Sequence, residues 1–243
     1  KYFDLVIYGS VRRSQMFLED AVKYKNTIAF IDGEDDTVLE KDLFQKGIYF
    51  KRELIEKKKD IEPINFAIPK EKILENININ TKFVLAPLIP GRISTYVYEN
   101  EADYYDMYKK SLFGLTYKKA GWDCLRHYEI LMNGCIPIFL DLDRCPKFTL
   151  TSLPKETIGF LNNKYQNILS FYNPFKIYKK KFLSSKKILS FFKSKFSKNN
   201  LEYYLDNNSE ISTYRNELLS YTKKYLTTEY LSKNILSTIK NKN

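Results

Sequence analysis

The sequence predicts an α/β protein with two parallel-sheet lobes and a helical carboxyl-terminal region. Short apolar runs that each end in a turn alternate with amphipathic stretches, which is typical of parallel sheets covered by helices. A charged stretch, followed by a short extended piece between Pro63 and Pro69, separates two series of such runs. The 243 residues suffice for one large domain or two small ones, and a hydrophobic content of 44% excludes wholesale disorder.

The first predicted lobe covers residues 1–70 and is assigned to the acceptor side. Its strands are 4–8 (DLVIY), 27–31 (TIAFI) and 48–50. A helix capped by Ser14 is predicted between the first two strands, with an inner stripe of Phe17, Leu18, Ala21 and Val22. A linker is predicted near 60–80, after the charged run 56–62.

The second predicted lobe covers residues 80–160. Its strands are 82–89, 111–117 and 135–140, and its helices are 96–110 and 122–133. Residues 161–243 are predicted to be a helical region that ends with 226–239, where Thr227 or Thr228 caps the last helix.

The formal charge of +11 is concentrated in one segment, residues 176–198, which holds nine lysines and no acid. Without it the chain has 31 basic and 29 acidic residues, so general polyanion binding is a poor interpretation. Its aromatic residues recur at helical spacing, which fits a surface helix docked on the core or a helix on an anionic membrane surface. Nucleic acid is not expected as a partner, because no known basic-aromatic module is present.

Cysteine content and hydropathy indicate the cellular compartment in which the chain is expected. Three cysteines are too few for a disulfide scaffold and favour a reducing compartment. No apolar run reaches the length of a membrane-spanning helix. We therefore expect a cytoplasmic protein, peripheral to the cytoplasmic membrane face if residues 176–198 bind it.

The segment 111–146 carries the most informative chemistry. It reads as a strand, a Lys-Lys-Ala-Gly turn, a helix, a glycine turn and a strand. Gly121 permits close approach of the backbone to a ligand, and the following helix start binds anions. Lys118 and Lys119 precede that start, and Arg126 lies one turn into the helix. Glu129, on the same face as Arg126, is positioned to accept both ribose hydroxyls while the cations hold phosphates.

An ordinary explanation exists for each of these features. Strand-glycine-helix units are common, and Arg126 with Glu129 also fits a helix-face ion pair. Trp122 fits stacking on a base or packing in the core.

The ordered set of residues in this segment resembles the donor-binding region of exostosin-like GT-B glycosyltransferases. The matching positions are Ser111, Phe113, Leu115, Gly121, Arg126, Glu129, Gly134, Cys135, Ile136 and Pro137. The resemblance implies two Rossmann-like lobes of GT-B type, in abbreviated form, since about 20 residues separate the strands at 83–89 and 112–116. An abbreviated sheet or a missing amino-terminal portion is therefore expected.

The resemblance also implies the activity, a glycosyltransferase of polysaccharide biosynthesis that needs no essential metal or other cofactor. Its partners would be a nucleotide diphosphate sugar donor and a glycan or lipid-linked glycan acceptor in the cleft. Glu129 would hold the ribose and Arg126 the pyrophosphate. The donor-binding set is Lys118, Lys119, Gly121, Trp122, Asp123, Arg126 and Glu129.

Other residues are candidates for chemistry at the cleft. Asp32, Glu34 and His127 are candidate bases, although turn acids are often only solvated and a lone histidine is often packed in the core. The candidates for an anionic group or for the acceptor are Gly9, Arg12, Arg13 and Arg92. Arg52 and Glu53 follow the third strand and are similarly placed, or they pair with each other.

Three alternatives compete with this interpretation. Asp141 and Asp143 form an Asp-x-Asp sequence of the kind that holds a divalent metal in GT-A glycosyltransferases. Cys124, His127, Cys135 and Cys145 suggest zinc only weakly, because they contain no C-x2-C knuckle. A non-catalytic basic module would use residues 176–198 to bind anionic membrane or nucleic acid.

Overall fold

The computed structural model describes residues 3–9, 11–12, 15–24, 28–77, 81–166, 168 and 208–242. This part of the chain forms two parallel sheets and six α-helices, so the predicted α/β class is confirmed. Arg13, Ser14 and the basic segment 176–198 lie outside the described residues.

One sheet has four parallel strands in the order β1-β2-β3-β4. We call this sheet and the residues around it the first lobe, and the other sheet and its surroundings the second lobe. Its strands are β1 (Val6–Tyr8), β2 (Ile28–Asp32), β3 (Ile48–Lys51) and β4 (Ile61–Pro63). The first three strands were predicted, and β4 falls where the sequence predicts a linker. Ile61 is 1% exposed and pairs with Tyr49 of β3, so this apolar residue joins the sheet despite its charged neighbours.

The stretch between β1 and β2 differs from its prediction. Its helix, α1 (Leu18–Ala21), has only four residues, and Phe17 is 72% exposed instead of lying on an inner stripe. Gln15 and Phe17 have φ angles of 46° and 58°, in the left-handed region that α-helices do not use. The helix therefore begins only after Phe17.

The second lobe is a three-stranded parallel sheet with the order β5-β6-β7. Its elements are β5 (Phe83–Leu85), α2 (Glu101–Lys109), β6 (Ser111–Thr116), α3 (Leu125–Met132), β7 (Ile136–Phe139) and α4 (Lys155–Lys164). Every residue of the central strand β6 and of the edge strand β7 is buried, as expected for parallel strands covered on both faces. The strand order in both lobes is sequential, so the described strands contain no reversal of order of the kind at which doubly wound sheets bind nucleotides.

The turn after α3 is set by Gly134, whose φ of 67° suits glycine. The Gly134 N–H donates to Leu131 O at 3.0 Å, and the Cys135 N–H donates to Ile130 O at 3.1 Å. This is a Schellman motif, which ends the helix and directs the chain into β7.

Two long helices follow, α5 (Asn208–Tyr225) and α6 (Thr228–Lys242). The predicted cap of the last helix is confirmed at Thr227, whose Oγ1 accepts the Tyr230 N–H at 3.2 Å. Helix α5 packs on the second lobe, where the buried Arg215 donates from Nε to Gly134 O. Helix α6 returns to the first lobe, and Ile239 packs with Phe50 and Ile64. No helix within the described ranges combines the length and apolarity that crossing a bilayer requires.

The carboxyl ends of β2 and β3 face the loop that follows β6. Arg52 and Glu53, directly after β3, bond to the backbone of residues 122–123 in the second lobe. A second contact lies nearby, where Thr149 Oγ1 donates to Leu54 O at 2.8 Å. The edges from which α/β proteins usually bind ligands are therefore in contact with each other.

Candidate functional site

The predicted anion-binding turn before α3 already holds an anion, and that anion belongs to the chain. The Glu53 carboxylate accepts the Trp122 N–H at Oε2 and the Asp123 N–H at Oε1, both at 2.9 Å. Glu53 is 2% exposed. These two backbone donors are therefore engaged by the first lobe in this structure.

Gly121 is required by the same contact. A Cβ atom at this position would lie 2.6 Å from Glu53 Oε1 and 3.1 Å from Asp35 Oδ1. The sequence predicts close approach of the backbone to a ligand here, and the structure places two carboxylates of the first lobe at that distance.

Arg52 completes the contact between the lobes. Its Nε donates to Gly33 O at 2.9 Å, its Nη1 donates to the Asp123 carbonyl, and its Nη2 pairs with Asp35. The guanidinium lies 4.4 Å from the centre of the Phe66 ring. Arg52 Nη1 is also 3.5 Å from Glu53 Oε1, so these two side chains pair with each other and with the second lobe.

The Asp123 carboxylate is buried and is directed away from the turn. Oδ2 accepts the Phe66 N–H at 2.7 Å, and Oδ1 accepts the Tyr128 hydroxyl at 2.8 Å. Burial raises the pKa of Asp123 to about 6, despite these two donors. The carboxylate thus links α3 to the segment after β4, while the predicted donor-binding role of Asp123 rests on its backbone.

His127 is buried and has both ring nitrogens engaged. Nε2 lies 2.7 Å from the Trp122 carbonyl and must carry the proton, so Nδ1 accepts from the Thr116 hydroxyl at 2.8 Å. Phe139 stacks on the ring with centroids 4.4 Å apart. Burial lowers the pKa of His127 to about 4. This geometry is that of a packed core histidine, and it offers no nitrogen to an acceptor hydroxyl.

Arg126 retains unused hydrogen-bonding capacity. Its Nη2 donates to the Tyr96 hydroxyl at 2.8 Å. Its Nε and Nη1 are buried and have no hydrogen-bond partner among the described residues. Buried charged donors are normally satisfied, so these two nitrogens are exceptions, as are Arg12 Nε, Lys51 Nζ and Arg215 Nη2.

Glu129 lies one turn further along α3, on the same face as Arg126. Its Oε2 accepts the Tyr104 hydroxyl of α2 at 2.7 Å, and burial raises its pKa. The two side chains are therefore not a simple exposed ion pair, because each is bonded to a tyrosine.

The two lysines of the turn are exposed. Lys118 Nζ lies 5.7 Å from the centre of the Trp122 ring, and Trp122 is half-buried near Phe139. The Lys118 N–H donates to Asp141 Oδ1 at 3.1 Å, which ties the turn to the end of β7.

The two predicted acidic bases of the first lobe have different environments. Asp32 is 1% exposed, accepts the Tyr49 hydroxyl at 2.5 Å and lies 3.0 Å from Lys51 Nζ. In this conformation the carboxylate is engaged by Tyr49 and Lys51, which does not favour the predicted role of Asp32 as a base. Glu34 is half-buried, and its N–H donates to Asp32 Oδ1 at 3.2 Å.

The predicted anion or acceptor residues that the structure describes have different surroundings. Arg12 pairs with Asp36, and its Nε lies 3.5 Å from Glu40 Oε1. Gly9 is exposed, with no atom within 4 Å of an added Cβ. Arg92 is half-buried in the loop after β5, and Arg13 lies outside the described residues.

Within the described ranges, no three His, Cys, Asp or Glu side chains are grouped so as to hold a metal ion. Asp141, one half of the Asp-x-Asp sequence, accepts the Lys118 N–H.

Sequence reasoning missed the tyrosines that contact Arg126 and Glu129, and it underestimated Glu53. Tyr96 and Tyr104 belong to a tyrosine-rich stretch between β5 and β6, and that enrichment was the available signal. Glu53 was noted as following a strand, and only the structure shows that it reaches residues 122–123.

Comparison with known proteins leaves the geometry to carry the functional argument. No protein-family model, no curated protein and no solved structure matches this chain.

Proposed function

We propose that this chain is a glycosyltransferase that moves a sugar from a nucleotide diphosphate sugar to a glycan or lipid-linked acceptor. The observation that carries the proposal is the Arg126 guanidinium, with two buried N–H donors that lack partners among the described residues. Arg126 lies near the start of α3, where the peptide dipole also favours an anion. The exposed Lys118 and Lys119 add positive charge at the same end of the helix.

In the proposed complex, the diphosphate binds Arg126 and the lysines, and the ribose hydroxyls donate to Glu129. The bond between the anomeric carbon and the diphosphate oxygen breaks as the acceptor oxygen attacks that carbon. Negative charge grows on the leaving diphosphate, and fixed cations stabilise it most at that stage.

The acceptor proton passes to a carboxylate of the first lobe. The two acids predicted for this task are Asp32, which pairs with Lys51, and Glu34 in the turn after β2. We propose Glu34 as the base because that turn lies at the carboxyl end of β2, the edge that faces the second lobe. This step needs no metal, because the protein's own cations oppose the charge of the leaving group.

The proposal is tested by calorimetric titration of the protein with UDP and with GDP. We expect Arg126→Ala to weaken binding by about 10- to 100-fold, the value of a charge-assisted hydrogen bond. Arg144→Ala is the matched control, since Arg144 is exposed and lies outside the proposed site. Equal affinity of the two variants, or no binding by the wild-type protein, would refute the proposal.

A second measurement distinguishes the proposed metal-independent transfer from a metal-dependent reaction through Asp141 and Asp143. We expect transfer of sugar to an added glycan to continue in excess chelator. Loss of transfer that manganese restores would favour the two aspartates, because a bound divalent ion would then carry the diphosphate charge.

A further inference from the structure

The Glu53 carboxylate is a ligand that the chain itself supplies to the turn before α3. It crosses from the end of β3 to the other lobe and accepts two consecutive backbone N–H groups at 2.9 Å each. Two carboxylate oxygens and two phosphoryl oxygens present the same kind of acceptor to such a donor pair. The contact therefore resembles the way in which a phosphate would be held.

The charges around this contact oppose a second anion. Asp35 Oδ1 lies close to Gly121, and Glu53 itself is buried beside it. Arg52 is the cation in direct contact with both acids. A diphosphate cannot share the two N–H groups with Glu53, so one of the anions must leave.

We propose that Glu53 is an autoinhibitory ligand, which the donor diphosphate displaces from the Trp122 and Asp123 N–H groups when it binds. This inference rests on the proposed function, since it takes the turn as part of the donor site. Release of Glu53 leaves Arg52 in place, because Gly33 O at 2.9 Å and the Asp123 carbonyl hold that guanidinium independently. Arg52 then becomes a further cation for the diphosphate.

Occupation of the two N–H groups by Glu53 lowers the apparent affinity for the donor. The protein binds with its intrinsic affinity only in the fraction of molecules whose Glu53 has left, so the measured Kd rises as that fraction falls. The same displacement breaks a contact between the lobes, so donor binding and loosening of this contact are one event.

The experiment is calorimetric titration of Glu53→Gln with UDP and GDP. Glutamine keeps the size of the side chain, but it loses the charge and presents only one acceptor. We expect affinity to increase by about tenfold, as the competent fraction rises. Glu62→Gln in β4 is the matched control and should bind like the wild-type protein, because Glu62 pairs with Lys57 and Lys242 away from the cleft.

The possible outcomes separate this inference from the proposed function. If Arg126→Ala weakens binding and Glu53→Gln does not tighten it, the donor site stands and the autoinhibitory role is refuted. If no variant binds UDP or GDP, both proposals fall. Glu53→Asp retains the charge on a shorter side chain, and it should tighten binding less than glutamine does if the variants fold equally.

Hydrogen–deuterium exchange provides a readout on the two N–H groups themselves. We expect the amides of Trp122 and Asp123 to exchange faster in Glu53→Gln than in the wild-type protein. Saturating UDP or GDP should restore their protection, because phosphoryl oxygens replace the carboxylate. Bound nucleotide that leaves these amides unprotected would place the diphosphate elsewhere and overturn the inference.

Discussion

The carboxyl edges of the two lobes differ in how completely their charges are paired. In the first lobe, Lys51 and Asp32 form an ion pair with fully buried side chains, and the Tyr49 hydroxyl bonds to the same carboxylate. In the second lobe, Arg126 has two buried N–H groups without partners among the described residues. Lys51 Nζ makes no hydrogen bond among the described residues either, but it faces a buried carboxylate at 3.0 Å, so its charge is compensated. The unused donors of Arg126 reduce stability and are typical of a binding site.

The largest expected effect on stability comes from breaking the buried ion pair of the first lobe. Lys51→Met leaves the buried Asp32 carboxylate without its cation, and we expect the free energy of unfolding to fall by about 3 to 5 kcal/mol. Urea denaturation measures this loss. The double variant Lys51→Met/Asp32→Asn should recover much of it, because neither charge then remains buried.

Lys57→Met is the control for that experiment. Lys57 Nζ lies 3.4 Å from Glu62, but its side chain is 50% exposed, so the change should cost less than about 1 kcal/mol. Equal losses in Lys51→Met and Lys57→Met would mean that the first edge is not stabilised by its buried pair.

A smaller effect on the free energy of unfolding concerns Asp123, and it depends on pH. The pKa of Asp123 is raised from 3.8 to about 6, so its favourable contribution exists at low pH and is lost as the pH rises through that range. We expect the stability of the wild-type protein relative to Asp123→Asn to fall by roughly 2 to 3 kcal/mol between pH 4 and 7. Denaturation at several pH values measures the difference.

The contribution of His127 to stability should change with pH in the opposite direction. Its pKa is lowered to about 4, so its contribution is present at neutral pH and is lost as the pH falls from 6.5. Stability relative to His127→Gln should therefore fall on acidification. A difference that does not vary with pH for either variant would contradict the burial of these groups.

The smallest expected effect on stability is that of removing the Arg126 charge, which is compared with the removal of the Lys51 charge. Arg126→Met removes a partly unsatisfied charge, and we expect the free energy of unfolding to change by less than about 1 kcal/mol, or to rise. Urea denaturation beside Lys51→Met tests this directly. A loss as large as that of Lys51→Met would show that Arg126 is structural.

Local patterns predicted much of the fold because they report burial and capping. The runs at β2, β3, β6 and β7, the glycine turn at Gly134 and the cap at Thr227 follow from apolar composition and turn chemistry. β4 was not predicted, because Ile61 is an isolated apolar residue whose burial depends on pairing with β3. Phe17 was misplaced because a left-handed backbone is not visible in hydrophobic periodicity.

The site was predictable only within one lobe. Gly121, Arg126 and Glu129 lie within one turn and helix, so their neighbourhood follows from spacing alone. The distance from Glu53 to Trp122 spans 69 positions and two sheets, and no local pattern encodes it. Asp32 was placed correctly at the end of a strand, but its pairing with Lys51 depends on the register between β2 and β3.

The return of α6 to the first lobe has a consequence for biosynthesis. Lys242 Nζ donates to Lys59 O at 3.1 Å across 183 positions, and Ile239 covers the sheet beside Phe50. A nascent chain emerging from the ribosome therefore exposes one apolar face of its first sheet until nearly all of these residues have been translated. That interval is when a chaperone would bind and when premature termination would yield an aggregating fragment.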